Sequence, residues 1–337
     1  MLQLRAGRKT FFILAIAFLS AVAAALLPDN PYQRWQLLDG TIEKNVRWIY
    51  ERTNFDPTPI DVVVLGPSRS AADVDSLELE AALTRMGTPA HVVNFSLPVA
   101  GRDVNYAIAR ELFKTNSPKV LVLGVIEKPS RFGHPAFKYI APSWLVADPG
   151  YFLNLNYLSN LIYLPYRQMQ LFLADLWPSL MRFTKTFDPA TYRGSNVDTT
   201  GNIVLPDGRI KDGENPASQA ELTRGVRKLE QGMRPPILPA SLRDAEFGDE
   251  RHYIREIAEL ARAKGTRIVF LNLPYYTGPD TIQEEPFYRQ FGDIVNASFL
   301  ASHAEWYGDY GHLTAHGASV LSDWLVPYIS KELSEAK

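Results

Sequence analysis

The fold of this chain is decided by residues 60–68, which read IDVVVLGPS. Three valines and a leucine form a short β-branched run, which suits a strand that is buried on both faces of a parallel sheet. Gly66 and Pro67 end this run in a turn, and Ser68 follows them directly. Open α/β sheets bind their ligands beyond the carboxyl ends of the strands. The segment therefore predicts an α/β domain that carries Ser68 at the ligand-binding edge of its sheet.

Strand-like and helix-like segments alternate along much of the chain. The predicted strands are 61–65, 91–95, 119–125 and 267–271, with 299–306 as a candidate fifth strand, and the predicted helices are 77–86, 104–115, 254–264 and 314–333. The residues suited to begin or end these helices are Asp75 or Ser76 before the first, Gly265 after the third and Thr314 before the last. The alternation predicts a three-layer α/β/α fold of flavodoxin-like type, with a parallel sheet.

Two regions do not follow this alternation. Residues 28–59 have apolar positions at near-helical spacing, which predicts a helical connector before the α/β domain at 60–337. Residues 130–247 contain an aromatic helical stretch and then a polar segment, in which 204–210 resembles a hairpin around an Asp-Gly pair. We interpret 130–247 as a large insertion at the rim of the sheet, where insertions often form lids. A separate domain is the alternative.

The N-terminus has the pattern of a targeting segment. Residues 1–10 are basic, and residues 11–27 form an apolar run of 17 residues without a charge, which would span roughly 25 Å as a helix, near the lower limit for crossing a bilayer core. The positive flank predicts a single-pass anchor in the inner (cytoplasmic) membrane, with the N-terminus in the cytoplasm and the domain in the periplasm or another extracytoplasmic space. A cleaved signal peptide is the alternative, because small residues close the run.

The composition excludes some classes of function. The chain has 35 Lys and Arg against 37 Asp and Glu, which argues against a nucleic-acid partner held by bulk electrostatics. It contains no cysteine, so disulfides and thiol nucleophiles are excluded. With 6 Trp, 16 Tyr and 17 Phe, the chain can fill a sizeable core and still line a substrate groove.

Asp309 and His312 stand three residues apart, just before the last predicted helix. A carboxylate at this spacing can orient an imidazole while the second ring nitrogen faces a nucleophile such as Ser68. An ordinary turn serine and a polar loop are the alternative interpretations. A metal site from His312 and His316 is a further alternative, but no third ligand is evident.

These motifs occur in a characteristic order. GPSR at 66–69 follows the first strand, Gly101 follows the second, and DYGHL at 309–313 with Gly317 comes near the C-terminus. This combination resembles the SGNH/GDSL hydrolase superfamily. More narrowly, it is similar to a membrane-anchored branch that includes the alginate O-acetyltransferase accessory proteins and the D-alanyl-lipoteichoic acid biosynthesis protein. The resemblance covers 60–130 and 250–335, and it implies an SGNH-hydrolase-like fold for the domain.

The resemblance also implies roles for individual residues. Ser68 would be the nucleophile, His312 its general base and Asp309 the group that orients the imidazole. Gly101 would offer a backbone N–H to an oxyanion, beside the N–H of Ser68 itself. Arg69 would either stabilise negative charge or pair with an acidic neighbour, and the pairing is the interpretation we favour.

The chain departs from the superfamily pattern in two places. Pro67 stands where an Asp commonly precedes the serine, and residues 124–127 (GVIE) lack the Asn that usually completes the oxyanion hole. A carboxylate from Glu127 would repel an oxyanion. Asn94 and Asn105 are the nearby amides that could replace the missing donor.

The function that the resemblance implies is a serine-dependent O-acyltransferase or esterase. It would act outside the cytoplasm on O-acyl groups, with O-acetyl groups of a cell-surface or exported polysaccharide as the expected substrate, and without a cofactor. Transfer would require a membrane-bound O-acyltransferase partner, because acyl-CoA is confined to the cytoplasm. The alternative is a non-catalytic glycan-binding or assembly subunit of a polysaccharide modification or export complex. A hydrolase of lipids or peptides is a third possibility.

Overall fold

The computed structural model of the chain describes residues 2–126, 131–149, 154–200, 202–204, 210–233 and 236–336. For residues 2–8, 202–204 and 210–212 it describes the course of the backbone alone. The predicted position of Glu127 lies outside the described residues.

The domain is built on a parallel sheet of five strands. The strands of the chain are β1 (Val62–Leu65), β2 (Val92–Asn94), β3 (Val120–Gly124), β4 (Asn202–Val204), β5 (Ile210–Asp212), β6 (Arg267–Asn272) and β7 (Asp293–Asn296). The main sheet has the order β2-β1-β3-β6-β7 with all neighbours parallel, while β4 and β5 form a separate antiparallel pair. The α/β class and the parallel sheet predicted from the alternating pattern are confirmed.

Helices cover both faces of this sheet. They are α1 (Leu2–Ala25), α2 (Pro31–Trp35), α3 (Asn45–Asn54), α4 (Ser68–Asp73), α5 (Ser76–Arg85), α6 (Arg102–Thr115), α7 (Phe137–Ile140), α8 (Ser143–Val146), α9 (Tyr157–Leu176), α10 (Pro178–Met181), α11 (Gln219–Gly232), α12 (Arg243–Glu246), α13 (Gly248–Lys264), α14 (Glu285–Tyr288) and α15 (Ala315–Glu335). The predicted caps are present: Asp75 accepts from the N–H groups of Leu77 and Glu78, Gly265 ends α13 with φ of 70°, and Thr314 accepts from Gly317.

The alternation of side chains along β1 divides the core into two layers. Val63 and Leu65 pack with α3, α6 and α13 on one face, whereas Val62 and Val64 pack with α5, α11 and α15 on the other. All four β1 side chains are fully buried, as expected for a central parallel strand. The result is a three-layer α/β/α arrangement.

The connector before β1 is part of this core. Trp35 and Trp48 are each 1% exposed and join the apolar cluster that covers α6 and α13. Trp48 also donates its indole N–H to the carbonyl of Gly194, 2.8 Å away. Arg52 donates to the carbonyls of Thr58 and Pro59 just before the first strand. The connector and part of the insertion are therefore held against the sheet.

In the part of the chain that the structure describes, no helix combines the length and the apolar character needed to cross a membrane. The anchor at residues 11–27 stays a prediction.

One predicted strand is wrong. Residues 299–306 form 3₁₀ turns, Ser298–Ser302 and Ala304–Trp306, and the fifth strand is β7, Asp293–Asn296, which pairs with β6. The aromatic side chains that suggested a strand instead pack on a helix, because Phe299 and Trp306 belong to the layer formed by α15.

The insertion contains α7 to α12 and the β4–β5 pair. The two strands pair where a hairpin was predicted, and the Asp-Gly turn between them lies outside the described residues. Two backbone hydrogen bonds join the insertion to the C-terminal part of the domain, from Ala217 N–H to the Tyr307 carbonyl and from Ala315 N–H to the Gly213 carbonyl.

Candidate active site

The strand order places a topological switch point between β1 and β3, because the chain continues from β1 to its neighbour β2 on one side and from β3 to its neighbour β6 on the other. In open α/β sheets this crevice, at the carboxyl ends of the strands, is where ligands bind. Ser68 begins α4 directly after β1, so its side chain lies at this crevice. The first N–H groups of a helix have no partner within the helix, so the N–H of Ser68 is a candidate donor at this crevice.

Ser68, His312 and Asp309 form a continuous chain of hydrogen bonds. Ser68 Oγ lies 2.9 Å from Nε2 of His312, and Nδ1 of His312 lies 3.0 Å from both carboxylate oxygens of Asp309. With Asp309 ionised, the imidazole keeps its proton on Nδ1, which leaves Nε2 to accept the hydroxyl proton of Ser68. The residues are 244 positions apart in sequence, and the fold brings them together.

The turn that carries Asp309 and His312 is closed by its own backbone. Asp309 Oδ1 accepts from the N–H groups of Gly311 and His312 at 2.7 and 2.9 Å, and the N–H of Gly308 donates to the His312 carbonyl at 2.9 Å. Thr314 then begins α15. The carboxylate therefore both shapes the turn and orients the imidazole.

Asp73, at the end of α4, is a second carboxylate beside the histidine. It is 1% exposed, and its Oδ1 accepts from the N–H of Leu313 at 2.9 Å. Burial raises the pKa of Asp73 to about 7, and the charge of His312 and the Leu313 N–H only partly oppose this. Asp73 thus connects the helix that begins at Ser68 to the turn that carries His312.

The protonation of His312 is governed by opposing effects. Burial disfavours the imidazolium, but the hydrogen bond and charge of Asp309, followed by the charge of Asp73, outweigh it and raise the pKa of His312. The side chains of His312 and Asp309 are still 18% and 16% exposed, so the pair remains reachable from solvent. An imidazole of this kind can hold the proton that a serine gives up during attack.

Two glycines allow α4 to approach the sheet closely. A Cβ on Gly66 would lie 2.2 Å from Oγ of Ser70, and a Cβ on Gly124 would lie 2.1 Å from the same atom. The Ser70 side chain therefore fills the gap between the ends of β1 and β3. The lack of a Cβ on both glycines therefore lets α4 begin close against the ends of these two strands.

The two side-chain amides considered as oxyanion donors, Asn94 and Asn105, have different surroundings. Asn94 donates to the carbonyls of Ser70 and Val74 at 2.8 and 2.9 Å, so its amide holds the α4 segment. Asn105 accepts from Arg102 at 3.2 Å within a buried network. Neither amide is hydrogen-bonded to Ser68 within the described residues. The Asn94 amide therefore orients the backbone of α4, whereas Nδ2 of Asn105 is buried and has no hydrogen-bond partner among the described residues.

Gly101 begins α6 and lies against the start of the insertion. A Cβ there would meet the backbone of His134 at 2.3 Å, so only glycine fits. His134 is in turn fixed by Asp103, which accepts from its N–H at 2.7 Å, and its Nε2 contacts the Pro98 carbonyl. Burial lowers the pKa of His134 to about 4, so the ring is neutral and structural. The loop of Gly101 is thereby held at the carboxyl edge of the sheet.

Arg69 donates to the carbonyl of Leu273 at 2.5 Å and lies over the ring of Tyr275. Its positive charge also acts on Asp73 and His312. The Leu273 carbonyl directly follows β6, so the acceptor of this hydrogen bond is a backbone group, and the pairing of Arg69 with an acidic neighbour stays a prediction. Arg69 brings a positive charge beside the nucleophile.

Tyr310 and helix α11 form a rim beside the triad. Tyr310 is 36% exposed, its carbonyl accepts from the Tyr276 N–H, and its ring lies so close to Gly225 that a Cβ there would be 2.4 Å from Cδ1. The insertion therefore reaches the residues that neighbour His312. An exposed ring at this place is suited to stack on a flat apolar surface of a substrate.

The structure leaves no free nitrogen on His312 for a metal, since both face protein groups, and His316 is exposed on α15. Among the described residues, no group of three or more His, Asp or Glu side chains is placed to hold a metal ion.

Sequence reasoning missed Asp73 and the contact between Tyr310 and Gly225. A carboxylate five residues after the candidate serine was the available signal for Asp73, but its partner is a backbone N–H that the sequence does not mark.

Comparison of the chain with protein-family models and with curated proteins finds no match in either.

Proposed function

We propose that this protein is a serine-dependent O-acyltransferase or esterase that acts through an acyl-serine intermediate at Ser68. The observation that carries the proposal is the chain of hydrogen bonds from Ser68 through His312 to Asp309 at the switch point of a parallel sheet. A serine is a weak nucleophile unless a base takes its proton and a third group orients that base.

The chemistry follows from these positions. Ser68 Oγ attacks the carbonyl carbon of an ester while its proton passes to Nε2 of His312. The tetrahedral intermediate collapses when the imidazolium gives that proton to the leaving alkoxide, which leaves the acyl group on Ser68. Water or a sugar hydroxyl then attacks the acyl-serine, its proton passes to His312, and Ser68 is released with its own proton restored.

Donors for the oxyanion are available at the start of α4 and at Gly101. The N–H of Ser68 is among those without an intrahelical partner, and the charge of Arg69 acts on the same region. Gly101 is the second candidate, as the resemblance to the SGNH/GDSL superfamily implies.

The substrate class is proposed from the resemblance and from the rim. The exposed ring of Tyr310 next to the triad suits a sugar face, which supports O-acetyl groups of an exported or cell-surface polysaccharide as the substrate. The apolar run at 11–27 and its basic flank support an extracytoplasmic domain held at the inner membrane. In that location a membrane-bound O-acyltransferase partner would supply the acyl group.

Covalent labelling tests the proposal directly. A fluorophosphonate probe should form a stable bond to Ser68 in the full-length protein in detergent, with loss of fluoride, and Ser68→Ala and His312→Ala should abolish labelling. Ser70→Ala is the matched control, because Ser70 lies in the same helix but its hydroxyl is buried and has no hydrogen-bond partner among the described residues. Labelling that persists in Ser68→Ala would refute the nucleophile.

A second candidate function is a glycan-binding subunit without turnover. It is favoured by the use of the Asn94 amide for two backbone carbonyls, because this side chain then does not complete an oxyanion hole at Ser68. Failure of the wild type to label or to release acetate, together with retained binding of acetylated polysaccharide, would support this candidate.

A further inference from the structure

Helix α9 turns a stripe of large apolar side chains away from the domain. Its exposed large side chains include Leu158, Ile162, Tyr166, Met169 and Leu176, which are 64%, 70%, 62%, 50% and 51% exposed. At 100° per residue these five positions fall within an arc of about 80°. A helix on the surface of a soluble domain normally turns its charged and polar residues outward along such a stripe.

The opposite side of α9 combines apolar side chains with two buried polar ones that attach it to the domain. Arg167 is fully buried and donates to the carbonyls of Lys138 and Ala141 at 2.6 and 2.8 Å. Gln168 is 1% exposed and donates to the Leu27 carbonyl at 2.8 Å. Arg167 and Gln168 therefore attach α9 to the domain, which fixes the apolar stripe outward.

The stripe is continuous with a second apolar surface. Helix α1 packs against α9, and the bond from Gln168 to Leu27 ties the end of the α1 segment to it. Nine large apolar side chains between Phe11 and Leu26 are exposed, and eight more lie between Leu155 and Leu180. These two stretches hold 17 of the 27 exposed large apolar side chains among the described residues, so the distribution is strongly one-sided.

The stripe on α9 is free of unpaired charged side chains among the described residues. Arg167 and Asp175 are the only formally charged residues of α9; the first is buried, and the second pairs with Lys185 at 3.1 Å. Trp177 follows the helix and is 55% exposed, and Tyr166 lies within the stripe. A wide apolar face without exposed basic or unpaired acidic residues, bordered by Trp and Tyr, is suited to the interface of a bilayer.

We propose that α9 is a membrane-interface helix, which lies flat in the headgroup region beside α1 and seats the domain on the lipid surface. The occupant of the stripe is lipid, because the uncharged apolar run of α1 packs against α9. A bilayer that surrounds the exposed apolar side chains of α1 would therefore also contact the stripe on α9. The inference goes beyond the proposed chemistry of Ser68, and it concerns how the domain is held relative to the membrane.

The absence of cysteine from the chain makes a site-specific test direct. Ile162→Cys carries an environment-sensitive NBD fluorophore on the stripe, Ile16→Cys carries it on α1, and Ala81→Cys carries it at an exposed position of α5 on the other side of the sheet. The full-length protein, with Ser68→Ala in the background, is reconstituted into phosphatidylcholine and phosphatidylglycerol vesicles with or without lipids spin-labelled near the headgroup end of the acyl chain. We expect the Ile162 probe to shift to the blue and to lose several-fold more fluorescence to the spin label than the Ala81 probe.

Three results would overturn the proposal. Quenching at Ile16 with none at Ile162 would show that α1 enters lipid while α9 does not. A blue shift at Ile162 without quenching would identify a second copy or another protein as the occupant. Quenching at neither position would remove the shared lipid-facing surface altogether. Since the readout does not involve the serine hydroxyl, its failure is distinguishable from a failure of the proposed enzyme activity.

Discussion

Replacing Asp73 by Asn should change the pH dependence of folding stability in a calculable way. The buried carboxyl has a pKa of about 7 against an ordinary value of 3.8. Between these two values the unfolded state ionises while the folded state stays neutral, so the stability contributed by this group is fully present below about pH 4 and lost as the pH rises to about 7. At 1.36 kcal/mol for each pH unit, the loss amounts to about 4 kcal/mol.

Asparagine has nearly the same shape and no charge to bury. Its Oδ1 can keep the hydrogen bond to the Leu313 N–H that Asp73 accepts at 2.9 Å. The buried NH₂ group of the asparagine should lower the free energy of unfolding of the variant by about 1–3 kcal/mol, and by the same amount at every pH. The prediction is therefore that the stability of Asp73→Asn relative to wild type rises by about 4 kcal/mol between pH 4 and pH 8.

Urea unfolding of both proteins across that pH range measures the difference. Asp323→Asn is the matched control, since that carboxylate is 59% exposed on α15 and should give a nearly flat difference. A flat difference for Asp73→Asn as well would refute the reasoning that burial holds this carboxyl neutral. The variant should also lower the pKa of His312, because Asp73 helps to raise it, and so move the acid limb of the activity profile to lower pH.

The remaining predictions concern the turn, the rim and the floor of the site. Asp309→Asn should lower kcat for a chromogenic acetyl ester by about 10³–10⁴-fold, because the imidazole then adopts the wrong tautomer; a loss below tenfold would contradict the triad. Gly225→Ala should displace the Tyr310 ring, 2.4 Å from the added carbon, and raise KM for acetylated polysaccharide while the small ester is unaffected; an equal effect on both substrates would contradict a role in substrate binding. Gly66→Ala should lower the free energy of unfolding by about 1–3 kcal/mol through overpacking. Addition of Ser70→Ala, which removes the hydroxyl 2.2 Å from the new carbon, should restore part of that loss in thermal unfolding, and no restoration would show that the clash is not the cause.

The parts of the fold that the sequence predicts are those with a local signal. The valine run of β1 has a single interpretation as a buried strand, and its parallel neighbours share the same β-branched composition. The grouping of Ser68 with the Asp309 turn was predictable because loops at the carboxyl ends of parallel strands meet at one edge. Strand β7 was missed because it is short and only partly buried, while the aromatic residues after it imitate a strand.

What the sequence could not predict depends on contacts between distant segments. The bond from the Leu313 N–H to Asp73 joins residues 240 positions apart and uses a backbone donor, which has no residue-type signature. Asn94 and Asn105 were reasonable oxyanion candidates by position along the chain. The Asn94 amide instead donates to two carbonyls close to it in space, and the Asn105 oxygen accepts from Arg102 while its Nδ2 has no partner among the described residues.

The backbone bonds between the insertion and the turn of the base have an evolutionary consequence. The Ala217 N–H and the Gly213 carbonyl bind Tyr307 and Ala315 through peptide groups that almost every amino acid carries. Substitution of side chains on α11 can therefore change the surface of the rim without changing the position of His312 beside it. Under the proposed function, such a scaffold can acquire a new acceptor sugar through surface substitutions while Ser68, His312 and Asp309 keep their positions.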